Sequence, residues 1–262
     1  MAEPWFTTAF GAHYRALYAH RDAEEARRCL ALLRGAGALL PPVLDLGCGD
    51  GRHLQALTAA DGPLGLDLSA PLLAEARKRV PGARLLRGDM RSLPLRDASL
   101  GTVLSLFTAF GYFADDAENA RPAAEAGRVL RPGGHWCLDL FDGDRVRAEL
   151  GDGRPRPRDR SSGPLAVREV RRFDAATATV GKQVEVRPAP GQAAEAAALG
   201  ISGDGLAYRE MVRVYTLPEV DDLAAGAGFR RVAAWGGYAG EPLGGGSRWL
   251  LVYRRGAVQE PA

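Results

Sequence analysis

Lysine is nearly missing. Lys78 and Lys182 are the only two, so 32 of the 34 basic side chains are arginine. Asn119 is the single asparagine and Ile201 the single isoleucine. This skew reads as a coding bias rather than an arginine-specific function. The three cysteines, Cys29, Cys48 and Cys137, are scattered and lack CxxC spacing. That argues against a disulfide scaffold and a structural zinc site, so no metal is expected. No apolar run approaches the roughly 18 residues of a membrane helix. Residues Met1–Trp5 lack the basic and apolar regions of a secretion signal. The expectation is a cytoplasmic protein without a membrane partner. The net charge of +2 is too small to imply a polyanionic partner by itself. What remains is ordinary: 262 residues, 46% hydrophobic and 25% charged. That is a globular composition, long enough for one large domain or a domain with an insertion.

The order of apolar segments carries more information. Helical spacing of Leu17, Ala26, Leu30 and Leu33 predicts a helix over 12–34. Short apolar strands follow at 43–46, 64–67, 84–87, 100–106 and 135–140, with helices expected at 52–59, 70–80 and 116–130 between them. Ser69 is the expected cap and Pro71 the first-turn residue of the 70–80 helix. Alternating short strands and helices imply a parallel sheet covered on both faces. Residues 142–163, rich in Gly, Pro and Arg, read as loop. Residues 164–173, 178–187 and 206–216 alternate like antiparallel strands. A helix at 217–227 and strands at 229–235 and 248–253 close the chain.

The strongest signal is Asp45-Leu46-Gly47-Cys48-Gly49-Asp50-Gly51, after a strand and before an expected helix. Such glycines let a backbone approach a ligand closely. A dinucleotide fingerprint would read GxGxxG, whereas this loop reads GxGxG and carries Asp45 and Asp50. Those acids would repel a pyrophosphate at a helix N-terminus and attract a cation. Asp67 ends the second strand, where a carboxylate can accept both ribose hydroxyls. Asp89 ends the third, where it can accept an adenine amino group, with Met90 beside it as an apolar contact. Three acids at successive strand ends lie on one edge of the sheet and make one site.

On these motifs the chain resembles a class I S-adenosylmethionine-dependent methyltransferase. The matching elements are the DLGCGDG loop, the LGLDLS and GDM acids, the strand at 100–107 and VLRPGG before the fifth strand, over residues 43–140. The resemblance implies a Rossmann-like α/β fold: a seven-stranded, mostly parallel sheet, helices on both faces, order 3-2-1-4-5-7-6 with strand seven antiparallel. More narrowly, the chain is similar to small-molecule enzymes of the glycine and sugar N-methyltransferase kind. These carry an N-terminal segment over the cofactor and a β meander after strand five. One domain over 1–262 is implied: a helical lid at 1–40, a cofactor half at 41–141, a meander at 142–215 and a closing helix and hairpin at 216–255.

S-adenosyl-L-methionine is then the expected cofactor, held by Tyr14, Asp45, Gly47, Cys48, Gly49, Asp67, Leu68, Asp89, Met90 and Leu106. Phe110, Tyr112 and Tyr215 are the expected acceptor-binding residues, with core packing as the other reading of the first two. Arg248 is a weaker candidate from the C-terminal side. Because a sulfonium already activates its methyl group, positioning can supply most of the acceleration and a general base is optional. No catalytic residue is assigned. His53 and His135 read as structural, while His13 and His20 fall in the expected lid. The Asp/Asn-Pro-Pro-Tyr stretch of amino-methylating DNA enzymes is absent, and no cysteine follows a proline as cytosine-C5 chemistry requires. The partner expected is a small-molecule N, O or C nucleophile. A nucleic-acid partner is disfavoured, and a homodimer through the meander is conceivable. The rival readings are an RNA or protein methyltransferase using the arginines of 154–160, and a non-catalytic cofactor-binding protein.

Overall fold

The computed structural model describes residues 4–11, 13–18 and 23–256. In chain order these form α1 (Trp5–Ala9), α2 (Tyr14–Leu17), α3 (Ala23–Gly35), β1 (Val43–Leu46), β2 (Leu64–Asp67), α4 (Ala70–Arg79) and β3 (Arg84–Arg87). Then come β4 (Leu100–Ser105), α5 (Asp116–Val129), β5 (Leu130–Phe141), α6 (Gly143–Leu150), β6 (Arg156–Ser162), β7 (Leu165–Asp174) and β8 (Thr179–Pro188). The last are α7 (Ala193–Ala198), β9 (Leu206–Arg213), α8 (Leu217–Gly226), β10 (Phe229–Trp235) and β11 (Arg248–Arg255). Two compact units divide them. The larger runs from Ala23 to Arg145 and resumes at Tyr215; the smaller joins the described residues before Ala23 to Val146–Val214.

The larger unit holds a seven-stranded sheet ordered β10-β11-β5-β4-β1-β2-β3. All neighbours are parallel except β11, which is antiparallel to both β5 and β10. This is the expected fold and strand order. The chain order reverses between β1 and β4, so the carboxyl ends of these strands open a crevice there. Every residue of β1 and β4 is buried, because helices cover both faces. One core layer gathers Leu44, Leu66, Val103, Trp136 and Tyr253, and the other Cys29, Leu33, Val43, Leu104 and Leu250. Helix starts are chemically fixed. Ser69 accepts from Leu72 N–H at 3.3 Å, Asp115 accepts from Glu118 N–H at 2.7 Å, and Thr216 forms a capping box with Glu219. Each cap satisfies amide groups that a helix start leaves open.

The smaller unit holds the antiparallel sheet β6-β7-β8-β9. Its inner side packs Val167, Val184 and Val186 against Leu17, Ala196 and Ile201. At its far end Leu150, Phe173, Val180 and Val214 form a second cluster.

Several expectations need correction. The predicted 12–34 helix is two separate helices, α2 and α3. The predicted 52–59 helix is replaced by two short 3-10 turns, Leu54–Ala56 and Ala59–Asp61. The span 142–163, read as loop, contains α6 and β6. Its arginine run is largely an edge strand. Arg156 pairs with Asp152 at 2.8 Å and Arg160 with Glu169 at 2.9 Å, so part of the charge is spent inside the unit. Cross-strand pairing with β7 outweighs the poor strand propensity of this Arg/Pro sequence. The single domain of the sequence reading corresponds here to two compact units, the N-terminal helices α1 and α2 grouping with the meander.

Candidate functional site

The glycine loop follows β1 at the reversal point. Gly47 and Cys48 N–H both donate to the Leu66 carbonyl, at 2.8 and 3.1 Å, which ties the loop to β2. Gly47 has φ +80°, and a Cβ there would lie 3.0 Å from the Cβ of Ala109. Only glycine fits this position without strain.

Asp67 closes β2 with its carboxylate fixed by backbone amides. Gly49 N–H donates to Oδ2 and Ser69 N–H to Oδ1, each at 2.8 Å. Burial raises its pKa, against the lowering effect of those bonds. Beneath the loop, Asp45 is 1% exposed, and its Oδ2 has no hydrogen-bond partner among the described residues. Burial pushes this carboxyl up to about 7, opposed by Arg52 and reinforced by Asp67 and Asp50. A buried carboxylate oxygen without a donor is costly, so the loop presents an unmet demand for a positively charged donor.

Two of the other acids have partners of their own. Asp50, expected to add to the negative field, pairs with Arg79 of α4 at 2.8 Å. Asp89 accepts from Arg91 Nη2 at 2.6 Å and from its backbone N–H at 2.8 Å. That bonding to Arg91 holds its pKa below the usual carboxylate range. Arg91 also pairs with Glu118 and lies over the ring of Phe113. The local field is therefore made mainly by Asp45 and Asp67. Around the loop, Leu68 is 38% exposed, Cys48 is buried, and Met90 approaches Gly47 with its methyl.

The segment after β4 departs from expectation. Phe110, expected in the acceptor pocket, is buried in the core with its ring 5.5 Å from Trp136 and 5.9 Å from Tyr215. Tyr215 is buried in the same cluster. Leu106 is buried in the opposite layer, with Cys29 and Leu104. Their apolar area is worth more in the core than on an open wall. Tyr112 is half-buried. Tyr14 belongs to the smaller unit, its ring 4.7 Å from Tyr18; His20 lies outside the described residues.

Phe107 and Thr108 stand out instead. Both have positive φ, 58° and 61°, a conformation costing about 1–3 kcal/mol per non-glycine residue. A buried network over-determines them. Asp139, fully buried in β5, accepts from Phe107 N–H at 2.6 Å, Tyr238 O–H at 2.5 Å and Arg248 Nε at 2.7 Å. Its carbonyl accepts from Thr108 N–H at 2.9 Å, and Arg248 Nη2 donates to Thr108 Oγ1 at 2.8 Å. The Phe107 ring lies 4.9 Å from the Arg52 guanidinium and 5.1 Å from that of Arg248. Asp139 holds Arg248 in its charged form despite burial. Sequence reading missed Asp139 and Tyr238. The available signal was an acid inside the apolar strand 136–140, which demands a buried partner. His53, beside Arg52, is held neutral by burial, and His135 bonds the Ala38 carbonyl.

Residues 43–134 match the family described as Methyltransferase domain. A curated relative, the dTDP-3-amino-3,4,6-trideoxy-alpha-D-glucopyranose N,N-dimethyltransferase of Streptomyces venezuelae, is 37% identical over 135 residues, 49% of this chain and 56% of the relative. The chain thus spans about half the length of that relative. Among solved structures, Streptomyces venezuelae DesVI aligns with TM-score 0.67 and 24% identity over 93% of this chain and 97% of that one. An S-adenosylmethionine-dependent methyltransferase from Clostridium acetobutylicum aligns with TM-score 0.75 and 14% identity over 93% and 96%. At these identities the structural likenesses establish the fold.

Proposed function

We propose that this chain, whose residues 43–134 match a family described as Methyltransferase domain, moves a methyl group from S-adenosyl-L-methionine to a small-molecule nucleophile. The acceptor we infer is the amino group of an amino sugar. The observation that carries the reading is the buried Asp45 carboxylate under a glycine loop, whose Oδ2 has no hydrogen-bond partner among the described residues, with Asp67 fixed at the adjacent strand end.

The residues fit this cofactor. It brings a sulfonium-activated methyl group, an ammonium and no phosphate, which suits a loop with two acids below it. Gly47 and Gly49 let the backbone approach. Asp45 supplies the electrostatic demand for the ammonium. Asp67, bonded by the backbone amides of Gly49, Ser69 and Leu68, keeps acceptor capacity for a ribose hydroxyl, since an ionised carboxylate offers about four lone-pair sites. Leu68 and Met90 offer apolar contact to the base. Asp89, paired with Arg91, has spare acceptor capacity and is not required to carry the recognition alone.

The chain's own part in the reaction is positioning and water exclusion. The Asp139–Arg248–Tyr238 network fixes the strained Phe107–Thr108 turn against the glycine loop. Phe107, between two guanidinia, supplies an apolar wall there. The amino-sugar acceptor is supported by the names of the Streptomyces venezuelae relative and of a second one, the dTDP-3-amino-3,6-dideoxy-alpha-D-glucopyranose N,N-dimethyltransferase of Streptomyces fradiae, 39% identical over 38% of this chain and 38% of that relative. The RNA reading rested on a free arginine loop, and the ion pairs of Arg156 and Arg160 weaken it.

Isothermal titration with S-adenosylmethionine tests the cofactor. Binding by the natural protein and its loss in Asp67→Ala is expected; equal binding by both, or none by either, overturns the reading. Mass spectrometry of dTDP-3-amino-3,6-dideoxy-α-D-glucopyranose after incubation with protein and cofactor tests the acceptor, with mass gains of one or two methyl groups expected.

A further inference from the structure

Opposite charges border the glycine loop without joining. Asp45 lies in β1 ahead of the loop, and Arg52 follows Gly51 at its far end. Among the described residues Arg52 pairs with Glu25 of α3 and not with Asp45, whose Oδ2 is left without a hydrogen-bond partner. Arg52 is nevertheless the charge that acts most strongly on Asp45. Both belong to the larger unit, at the carboxyl ends of β1 and β4 where the crevice opens. The turn after β4 spans the loop from one side to the other. Ala109 meets Gly47 near Asp45, and the Arg52 guanidinium lies over the Phe107 ring, 4.9 Å from its centre. Between them, a Cβ on Gly49 would meet nothing nearer than Leu72 at 3.9 Å.

Arg52 also keeps unused donors. Its Nη1 donates to Glu25 Oε2 at 2.6 Å, and its Nη2 lies 3.4 Å from His53 Nε2. A guanidinium has five N–H groups in a planar fork, so several remain open among the described residues. The side chain is only 12% exposed, and bulk water reaches little of it, so idle donors there are costly. The neighbouring cations are committed. Arg248 donates through Nε to Asp139 and through Nη2 to Thr108, and Arg79 pairs with Asp50.

The cofactor read from the loop makes a matching demand. S-adenosyl-L-methionine ends in an amino acid, with an ammonium and a carboxylate on one carbon. Asp45 and Asp67 attract the first and repel the second, so the loop needs a cation beside them. We infer that Arg52 receives the carboxylate of the cofactor while Asp45 receives its ammonium, the two residues forming a seat for a zwitterion. A planar fork suits a carboxylate better than a point charge does. Glu25 aims the guanidinium by one bond, and Phe107 supports its face. The inference rests on the cofactor reading above and assumes nothing about the acceptor.

Three ligands test it by isothermal titration on the full chain at pH 8. Decarboxylated S-adenosylmethionine keeps the sulfonium and the amine but lacks the carboxylate, and 5′-methylthioadenosine lacks both amino acid groups. The natural protein should bind S-adenosylmethionine about tenfold or more tighter than the decarboxylated form, as for a hydrogen bond to a charged group. Arg52→Met should abolish that preference, weakening S-adenosylmethionine and leaving the decarboxylated form unchanged or tighter. Arg52→Lys, which keeps the charge without the fork, should restore part of the preference. Asp45→Asn should weaken both cofactors alike, since both carry the amine. Unchanged 5′-methylthioadenosine binding in the Arg52 variants should confirm an intact fold and adenosine site. Equal weakening of both cofactors in Arg52→Met would make Arg52 a brace for the loop and overturn the inference. Absence of any preference in the natural protein overturns it too. No binding of any of the three ligands by the natural protein overturns the cofactor reading itself.

Discussion

Asp45 carries opposite consequences for folding and for binding. Its carboxyl is pushed up to about 7 in the fold, against about 3.9 for a free aspartate. Between those values the native state holds a proton that the unfolded chain has released, so stability from this group falls as pH rises from about 4 to about 7. Binding a cation needs the charged form, so cofactor affinity should rise through the same upper limit. Titration calorimetry should give tighter S-adenosylmethionine binding at pH 8 than at pH 6, with the difference removed in Asp45→Asn. The same variant, without cofactor at pH 8, should melt about 2–4 °C higher, as expected for ~1 kcal/mol in a chain of this size. Gly47→Ala is a simpler case. Its methyl would meet Ala109 in a backbone conformation that disfavours side chains, so cofactor Kd by titration should rise at least tenfold with modest loss of stability. The loop and Asp67 at the adjacent strand end were legible in the sequence because both are fixed by local order along the chain. Phe110 packs against Trp136, the core reading that the sequence left open because an aromatic residue after a strand reads the same whether it faces a ligand or Trp136.

At the scale of elements, the turn after β4 is held by groups from β5, β11 and the loop before β11. Removing one partner of the Asp139–Arg248 pair leaves a buried charge uncompensated, at about 3–5 kcal/mol. Arg248→Met should therefore lower the melting temperature by roughly 10 °C, measured by circular dichroism. Asp139→Asn should cost a similar amount, since it leaves the buried Arg248 charge uncompensated and turns an amide NH2 toward a donor in place of one carboxylate oxygen. The helices behaved as their sequence signals indicate where a cap was present: α4, α5 and α8 begin at Ser69, Asp115 and Thr216. Elsewhere the elements departed from expectation. The segment after Gly51 forms only short 3-10 turns, and β6 is a strand despite its proline and arginine content. Strand pairing depends on a neighbour, and β7 is not visible from residues 156–162 alone.

Over the whole molecule, two compact units arise from one chain that leaves the larger near Arg145 and returns at Tyr215. Cofactor binding should stabilise the native state by about 2.7 kcal/mol at 100 times its Kd. Hydrogen exchange should register that protection first at Gly47–Gly51 and Leu66–Ser69. The same experiment without cofactor should show the sheet β6–β9 as a separate block of amides, because its cores are self-contained. No helix among the described residues is long and apolar enough to cross a membrane.

The sequence by itself determined the alternation of strands and helices, the glycine loop, and the acids at the ends of β1, β2 and β3. These depend on periodicity and neighbour order, which the chain carries locally. Only the tertiary structure decided which acids remain available. Arg79 takes Asp50 and Arg91 takes Asp89, while Asp45 is left buried with one oxygen unpartnered among the described residues. It also brought Asp139 to Arg248 and His13 to Tyr208 across 109 and 195 positions of chain. Such pairings are set by packing in three dimensions, and no local pattern encodes them.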